Sequence, residues 1–322
     1  MTYYIGMDIG GTNIKAGVVN REGHIVAAAS IPTGADRPQE VVLQDILAAA
    51  DKAVEASGVA MEEVAGVGVG CPGMIRSEEG VVLYNNNLGW RDFPLGPLLS
   101  EALRMPARVE NDANAAALGE VTAGSAKGAT SAMVITLGTG VGSGFVIDGR
   151  IWTGWNSAAC EFGHMVILRG GRPCTCGRRG CLEAYASATG LIAMTEEAVA
   201  AHPTSALADL ALREGRVGGH TAFAAAEAGD EAAKAVVDEY TDCLACGLAN
   251  LINGLQPEVI SIGGGVGKQG ERLLAPLRRK VEMERYGGDR IADRATRLTV
   301  CTLGYEAGLI GAAMAAKNAV NS

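Results

Sequence analysis

Two stretches that lie far apart in the sequence have the same order of predicted strands and turns. This repetition limits the number of folds that the chain can adopt. YYIGMDIGGTNIKAGVVNREGHIVAAASI, which begins at Tyr3, predicts three strands joined by the turns GGTN and REG. SAMVITLGTGVGSGFVIDGRIWTG, which begins at Ser131, again predicts strand, Gly/Thr turn, strand, Asp-Gly turn and strand. We therefore expect one three-stranded β-meander at the start of each of two domains.

Both glycine turns have the composition of a phosphate-binding turn. Residues 10–12 are Gly-Gly-Thr and residues 138–140 are Gly-Thr-Gly. Without Cβ atoms, the backbone N–H groups of such a turn can point together, and the threonine adds a hydroxyl donor. Glycine turns that only join strands are common, so each turn alone leaves that alternative open. GTGVGSG is not a dinucleotide fingerprint, because it leads into another strand, FVIDGRI, and not into a helix.

Strands and helices alternate along the rest of the chain. PQEVVLQDILAAADKAVEASG and DEAAKAVVDEYTDCLACGLANLING predict helices, and VAGVGVGCPG predicts a strand that enters a loop. ENDANAAALGEVTAG predicts a loop that opens a helix, and PEVISIGGGVGKQGERLLAPLRRKV predicts a strand, a triple-glycine turn and a helix. The last helix, EAGLIGAAMAAKNAV, is rich in small residues and suits close packing. The 322 residues therefore predict a two-domain α/β protein. Because no low-complexity linker separates the halves, we expect a tight cleft between them.

The charge and hydropathy of the chain exclude several classes of partner. The formal net charge is −9 and no block of basic residues occurs, so binding to nucleic acid or to an anionic membrane surface is not expected. No run of about 18 apolar residues predicts a membrane span. The N-terminus lacks the basic and apolar regions of a secretory signal, so we expect a cytoplasmic protein.

The eight cysteines do not indicate a disulfide framework, because the chain is large and lacks a secretory signal. Cys71, Cys160 and Cys301 occur singly among small or apolar neighbours. Cys243 and Cys246 form a CxxC within a predicted helix, without the strand-helix-strand setting of a redox motif, so we interpret them as core residues. The other three lie in CTCGRRGC, residues 174–181, which raises the question of a catalytic metal, a structural metal or none.

Several ordered motifs together resemble the ROK family of sugar kinases and regulators, and within it the bacterial glucokinases. The resemblance covers nearly the whole chain. The motifs are DIGGT (8–12), CPG (71–73), NNNLGW (85–90), ENDANAAALGE (110–120), LGTGVGSG (137–144), EFGH (161–164), CTCGRRGCLEA (174–184) and ISIGGG (260–265). One departure is Cys160, which stands where the family commonly has a small residue; we expect a packing variant there, beside a predicted sugar contact.

The resemblance implies two RNase H-like domains of the actin/sugar-kinase (hexokinase-like) fold around a central cleft. Residues 1–112 plus 305–322 would form the small α/β domain, and residues 113–304 the large α/β domain with a zinc loop. A homodimer or a dimer of dimers is the family expectation.

The implied activity is ATP-dependent phosphorylation of glucose at the 6-hydroxyl, with Mg²⁺ accompanying ATP. Asp112 is the predicted general base, because a carboxylate near a helix N-terminus is held ionised and can accept the sugar hydroxyl proton. Asn111 or Asp112 capping that helix is a compatible alternative. Other hexoses or N-acetylhexosamines (N-acetylmannosamine, N-acetylglucosamine, allose, mannose or fructose) are alternative substrates, and polyphosphate is an alternative donor. A sugar-responsive transcription regulator is disfavoured, because DIGGT begins at residue 8 and the chain is acidic.

The resemblance also assigns binding residues to the sugar and to ATP. The predicted sugar contacts are Gly73, Asn87, Asn111, Asp112, Glu161, His164 and Glu183. The predicted ATP contacts are Asp8, Gly10, Gly11, Thr12, Asn13, Lys15, Gly138, Thr139, Gly140, Gly264 and Gly265. Asp8 would act on the phosphate or its Mg²⁺ through water, or else only tie down the strand end. Asn87 has the alternative role of a turn residue.

The cysteine cluster and one upstream histidine form a predicted set of metal ligands. His164, Cys174, Cys176 and Cys181 supply one imidazole and three thiolates, which make a full tetrahedral zinc site. Four protein ligands leave no open position, so we expect structural and not catalytic zinc. The zinc would position His164, Glu161 and Glu183, and the second ring nitrogen of the histidine could donate to a sugar hydroxyl. Four reduced side chains without metal are the alternative.

Overall fold

A computed structural model gives the fold and describes residues 1–321, apart from the side chain of Asp289. The strands are β1 Tyr3–Ile9, β2 Asn13–Asn20, β3 Ile25–Pro32, β4 Val64–Cys71, β5 Met74–Arg76, β6 Val81–Asn85, β7 Trp90–Phe93, β8 Ala107–Asn111, β9 Ser131–Leu137, β10 Val141–Ile147, β11 Arg150–Ile151, β12 Val259–Gly263 and β13 Arg297–Val300. The helices are α1 Gln39–Ser57, α2 Leu95–Leu103, α3 Asp112–Ala123, α4 Glu183–Ala186, α5 Ala188–Ala201, α6 Ala206–Glu214, α7 Thr221–Glu227, α8 Glu231–Leu255, α9 Gly264–Gly267, α10 Glu271–Glu284 and α11 Ala307–Val320. The predicted α/β class is confirmed.

Two compact units make up the chain. Unit 1 contains Met1–Val134, Gly144–Cys160 and the chain from Cys301 onwards, and unit 2 contains Ile135–Ser143 and Glu161–Val300. The domain assignment of 1–112 plus 305–322 and 113–304 stays a prediction.

The first meander forms three of the five strands of one sheet. The strand order is β3-β2-β1-β4-β8, with β1–β3 antiparallel and β1, β4 and β8 parallel. In register, Asp8 on β1 faces Lys15 on β2 and Gly70 on β4, and Cys71 on β4 faces Asn111 on β8. Since the carboxyl ends of parallel strands meet at one edge of a sheet, these residues lie along a common edge.

The second meander is also confirmed. Its strands β9, β10 and β11 belong to a sheet of order β11-β10-β9-β12-β13, in which β12 and β13 are parallel. A smaller antiparallel sheet has the order β5-β6-β7. The expectation of a loop before the helix in ENDANAAALGEVTAG is wrong, because Ala107–Asn111 pair with β4 as a strand and α3 begins directly at Asp112.

Close packing of α11 against the first sheet depends on glycine. A Cβ on Gly6 of β1 would overlap the carbonyl oxygen of Leu309, and a Cβ on Gly68 of β4 would overlap that of Ala312. The backbone of the helix therefore rests directly on the two strands, as its small-residue composition predicts.

We expect Gly68→Ala to destabilise the protein by about 2–3 kcal/mol, because the added methyl group forces the helix away from the sheet. The matched control is Gly254→Ala in α8, where an added Cβ meets nothing within 4 Å. That change should stabilise the protein by about 0.5–1 kcal/mol, since alanine is the better helix former. Denaturant unfolding midpoints test this pair, and equal midpoints for the two variants would contradict the packing described.

Among the described residues, no helix combines the length and the apolarity that crossing a membrane requires.

Candidate active site

Unit 1 brings Asp8, Lys15 and Asp112 together at the carboxyl edge of its sheet. Asp8 is next to last in β1, and Asp112 follows the last residue of β8. Burial raises the pKa of the Asp8 carboxyl, Lys15 lowers it and the charge of Asp112 raises it further. Lys15 and Asp112 are therefore both close enough to Asp8 to act on it electrostatically, in a half-buried environment where such interactions are strong.

Burial also raises the pKa of the Asp112 carboxyl above its ordinary value, although backbone N–H groups at the start of α3 oppose the shift. One of these groups is the Ala113 amide, which donates to Asp112 Oδ1 at 3.0 Å. The helix terminus alone predicted a carboxylate held ionised, and that direction is wrong because desolvation outweighs the hydrogen bonds. A base whose pKa moves toward neutrality is a better proton acceptor while it remains ionised near pH 7.

Asn111 caps α3, as one of the sequence alternatives expected. Its Oδ1 accepts hydrogen bonds from the amides of Ala113 at 2.9 Å and Asn114 at 3.3 Å. Its Nδ2 donates to the carbonyl oxygen of Gly73 at 3.1 Å. Gly73 has a φ of +108° and no room for a Cβ beside Tyr84, so glycine is required there. The sugar-binding roles of Asn111 and Gly73 stay predictions.

Asn85, which the sequence reasoning missed, holds the NNN turn. It is 1% exposed, and its Oδ1 accepts from the amides of Asn87 at 2.9 Å and Leu88 at 3.1 Å. Its Nδ2 contacts the Sγ of Cys71, at the end of β4, at 3.5 Å. Asn87 is exposed on this turn, where its side chain is accessible to a ligand. The position of Asn85 at a strand end before two more asparagines was the signal available, since such residues accept from amides two residues on.

The first glycine turn is tied down through its carbonyl groups. Gly10 N donates to Asn13 O at 2.9 Å, which closes the turn. Thr33, after the end of β3, donates its hydroxyl to Gly10 O at 2.6 Å and its amide to Thr12 O at 2.8 Å. Gly11, Thr12 and Asn13 are exposed. Thr33 therefore holds the carbonyl groups of the turn, while the exposed residues of the turn face solvent. No motif had indicated this role for Thr33.

Lys15 follows this turn on β2. Its Nζ lies over the ring of Tyr305, 4.6 Å from the centroid. The cation–π contact and the charge of Asp8 together place a fixed positive charge beside the turn.

Unit 2 holds the second glycine turn in a similar way. Gly138 N donates to Gly140 O at 3.0 Å. At the start of α5, Ala188 N donates to Gly138 O at 2.8 Å and Thr189 Oγ1 donates to Thr139 O at 2.9 Å. Ala188 and Thr189 therefore hold the carbonyl groups of this turn, as Thr33 does in unit 1. No motif had indicated either residue.

The triple glycine was predicted to form a turn, but Gly263 ends β12 and the next two glycines begin the short helix α9, beside the second glycine turn. Gly264 has a φ of +78°, and a Cβ on it would overlap the backbone of Leu137, the last residue of β9. An added Cβ on Gly265 meets nothing within 4 Å. Unit 2 thus brings together Gly138, Gly264 and Gly265, which the resemblance assigns to ATP.

Glu183, the first residue of α4, uses both carboxylate oxygens within unit 2. Its Oε2 accepts from Val141 N at 3.1 Å, and its Oε1 accepts from Thr175 Oγ1 at 2.9 Å. A Cβ on Gly140 would overlap the same Oε2. The assignment of Glu183 to the sugar stays a prediction, and its contacts with Val141 and Thr175 were not anticipated.

The predicted metal ligands converge. The ligand atoms of His164, Cys174, Cys176 and Cys181 all lie within 4.8 Å of one another. His164 Nδ1 is 3.6 Å from Cys174 Sγ, and Cys176 Sγ is 3.7 Å from Cys181 Sγ. Tetrahedral zinc with Zn–S near 2.3 Å and Zn–N near 2.0 Å requires separations of about 3.5 Å for N···S and about 3.8 Å for S···S. These two separations match a tetrahedral zinc site, and the four side chains are close enough together to hold a metal ion.

Two glycines allow the tight path of the cysteine loop. Gly177 and Gly180 have φ values of +86° and +82°, and a Cβ on Gly180 would overlap Leu168 O. Cys174 N donates to Arg178 O at 2.9 Å, which folds the loop back on itself. The folded loop therefore brings the Sγ atoms of Cys174 and Cys181 within 4.8 Å of each other.

The EFGH motif forms a 3₁₀ turn over Phe162–His164, with Glu161 exposed in front of it. Because His164 turns Nδ1 toward Cys174, its Nε2 is the nitrogen left for another partner. That both Glu161 and His164 face a sugar stays a prediction. Cys160 is 5% exposed and its Sγ lies 3.5 Å from Trp152 O, which agrees with a packing role. Cys243 and Cys246 are half-buried in α8, less enclosed than the core position expected of them.

Comparisons with known proteins show the family to which the chain belongs. The model of the ROK family matches residues 4–319. The chain is 42% identical over 321 residues to the glucokinase of Halalkalibacterium halodurans, covering 99% of this chain and 96% of that protein. It is 37% identical over 314 residues to the glucokinase of Streptomyces coelicolor, covering 96% of each.

A solved structure extends this likeness to three dimensions. The crystal structure of a ROK family glucokinase from Streptomyces griseus in complex with glucose and AMPPNP is similar with a TM-score of 0.78. The two chains are 35% identical, and the match covers 98% of this chain and 99% of that one.

Proposed function

The chain belongs to the ROK family, and on that premise we propose that it is a glucokinase in which Asp112 takes the proton from the 6-hydroxyl of glucose. The reaction transfers the terminal phosphoryl group of ATP to that hydroxyl. The fold is the actin/hexokinase-like fold of the ROK sugar kinases. The protein is an ATP-dependent enzyme of the ROK glucokinase type.

One observation supports the assignment of the base above all. Asp112 stands at the carboxyl edge of the first sheet, directly after β8, with a pKa raised by burial and with Asp8 and Lys15 as neighbours. Phosphoryl transfer requires a group that accepts the hydroxyl proton, a charge that balances the phosphate and a carboxylate for the metal ion that accompanies ATP. In this proposal Asp112 accepts the proton, Lys15 balances the charge of the phosphate and Asp8 is the carboxylate for the metal ion.

The glycine turns supply the donors for the nucleotide in this proposal. We assign Gly10, Gly11, Thr12 and Asn13 of unit 1 and Gly138, Thr139, Gly140, Gly264 and Gly265 of unit 2 to ATP. Their backbones are held by Thr33 in unit 1 and by Ala188 and Thr189 in unit 2. Donors fixed in place before the phosphate arrives lose little free energy to reorganisation.

The sugar is assigned to the exposed or half-buried polar groups of the remaining motifs. These are Gly73, Asn87, Asn111 and Asp112 in unit 1 and Glu161, His164 and Glu183 in unit 2. Side chains of this kind donate to or accept from hydroxyl groups according to their type. Glucose is the proposed hexose because the chain is 42% and 37% identical to two glucokinases over nearly its whole length.

Zinc is the proposed occupant of the site formed by His164, Cys174, Cys176 and Cys181, since one imidazole and three thiols converge there and two of their separations match a tetrahedral ion. Bound there, it would supply no Lewis-acid chemistry, because the four side chains complete its coordination. Its effect would be to fix the loop that carries His164 and Glu183. Thiolate ligands persist in a reducing compartment, so we also propose a cytoplasmic location. A homodimer or dimer of dimers stays a prediction.

The proposed function is tested by a coupled ADP-release assay with the purified chain. The panel contains glucose, mannose, fructose, allose, N-acetylglucosamine and N-acetylmannosamine, each with and without Mg²⁺. We expect glucose to have the highest kcat/KM and turnover to require Mg²⁺. A higher value for another sugar would overturn the proposed substrate, and no ADP release with any sugar would overturn the reaction. Replacing ATP by polyphosphate tests the donor.

A further inference from the structure

We propose that Glu183 is a positioning residue for the nucleotide, through which the cysteine loop controls the affinity for ATP. Its carboxylate ties the second glycine turn, residues 138–140, to the loop that carries Cys174 and Cys176. This inference rests on the proposed function, in which that turn binds phosphate oxygens of ATP. It assigns Glu183 a task besides the predicted sugar contact.

The carboxylate spans the two elements with one oxygen on each. Oε2 accepts from the amide of Val141, the residue that follows the turn and begins β10, at 3.1 Å. Oε1 accepts from the hydroxyl of Thr175 at 2.9 Å. Thr175 lies between two of the cysteines that converge with His164. A shift of the cysteine loop would therefore move Glu183, and with it the Val141 amide that follows the turn.

The packing around Gly140 shows how closely Glu183 approaches the turn. A Cβ on Gly140 would overlap Oε2, so only glycine lets the carboxylate reach the backbone there. At the other end of the turn, Ala188 and Thr189 hold the carbonyl groups of Gly138 and Thr139. The turn is thus clamped at both ends, with Glu183 at the end nearest to the cysteine loop.

The chemistry of the contact distinguishes hydrogen bonding from charge. A carboxylate near a phosphate-binding turn repels phosphate, so its benefit must come from holding the backbone. Glutamine can keep both bonds, because its oxygen accepts from Val141 and its amide donates to the hydroxyl of Thr175. Alanine leaves both donors without this partner. The glutamine variant should therefore bind nucleotide at least as well as the wild-type protein.

The test measures the Kd of AMPPNP with Mg²⁺ by calorimetry, in the absence of any sugar, together with the zinc content of each protein. We expect Glu183→Ala to raise this Kd about tenfold and Thr175→Val to raise it about threefold, since a lost hydrogen bond to a charged group has effects of this order. Glu183→Gln should stay within about twofold of wild type. Glu196→Ala, on the exposed side of α5, is the matched control and should not change the Kd.

Three results for the nucleotide Kd of the variants would contradict the inference. A Glu183→Ala protein that binds AMPPNP as tightly as wild type overturns it, and so does a glutamine variant as weak as the alanine variant. If Glu183→Ala also loses zinc, Thr175→Val decides, because that variant retains every proposed metal ligand. An unchanged Kd for it overturns the inference. A wild-type protein that binds no AMPPNP contradicts the proposed function, whereas an unchanged nucleotide Kd in all variants of a wild-type protein that phosphorylates glucose contradicts only the inference.

Discussion

Asp112→Asn should lower kcat for glucose phosphorylation by about 10²–10⁴-fold, the usual contribution of a general base, while the dissociation constant for glucose should stay within a few-fold of wild type. Asparagine keeps the size of the side chain and can still form hydrogen bonds with a sugar hydroxyl, but it cannot take the proton. Stopped assays of ADP release and equilibrium binding of glucose measure the two quantities separately.

The thermal midpoint of Asp112→Asn should not fall below that of the wild-type protein. Because burial raises the folded-state pKa of Asp112 above its unfolded value, the ionised carboxylate destabilises the fold at neutral pH. This cost diminishes as the pH falls through the folded-state pKa, and a neutral amide removes it. Asp51→Asn, exposed on α1, is the matched control and should alter neither turnover nor the midpoint.

The pH profile gives a further readout of the same group. In the wild-type enzyme kcat/KM should fall as the pH drops through a pKa above the ordinary aspartate value of about 3.9. The residual activity of Asp112→Asn should lack this limb. A kcat of Asp112→Asn within tenfold of wild type, or a variant profile that keeps the acid limb, would contradict the assignment of the base.

Cys176→Ala should remove zinc and lower kcat/KM for glucose by about 10–100-fold, with a lower thermal midpoint. Cys176 is exposed, so the substitution removes little packing and its effect reports on the metal. Structural zinc contributes about 10–16 kcal/mol in small peptides, and a fraction of this would order residues 164–183. Metal analysis, steady-state kinetics and thermal unfolding measure the three effects.

The control for the metal experiment is Cys246→Ala, which removes a half-buried thiol from α8, outside the cluster. It should retain the zinc and the activity of the wild-type protein. Treatment of the wild-type enzyme with a chelator should reproduce the loss seen for Cys176→Ala, and added Zn²⁺ should restore activity. Full activity in protein with well under one zinc ion per chain would sink the structural-zinc proposal.

The features that the sequence predicted correctly depend on short stretches of chain. Three strands around GGTN and three around GTG follow from apolar runs and glycine turns, and α8 follows from its helical periodicity. The approach of His164 to the cysteines at 174–181 could be predicted because few residues separate them and two glycines permit the turn. In these cases the spacing along the chain limits the distance in space.

The supporting contacts could not be predicted, since their partners are remote in sequence. Thr33 reaches the first glycine turn because β3 pairs with β2, and Glu183 accepts from Val141 although 42 residues separate them. No motif marks Thr33 or Thr189, and Thr175 lies within the CTCGRRGCLEA motif, where the cysteines and the glutamate but not the hydroxyl were given a role. Their roles arise only when the tertiary fold brings each hydroxyl to a carbonyl or carboxylate oxygen.

The sequence by itself therefore determined the repeated meanders, the glycine turns, the metal-ligand set and the candidacy of Asp112, because each is a local pattern. Only the tertiary structure decided that Asp8, Lys15 and Asp112 share one sheet edge, since that depends on the parallel register of β1, β4 and β8. It also reversed the expected direction of the Asp112 pKa. The helix terminus is visible in the sequence, but the burial that outweighs it is produced by strands and helices distant along the chain.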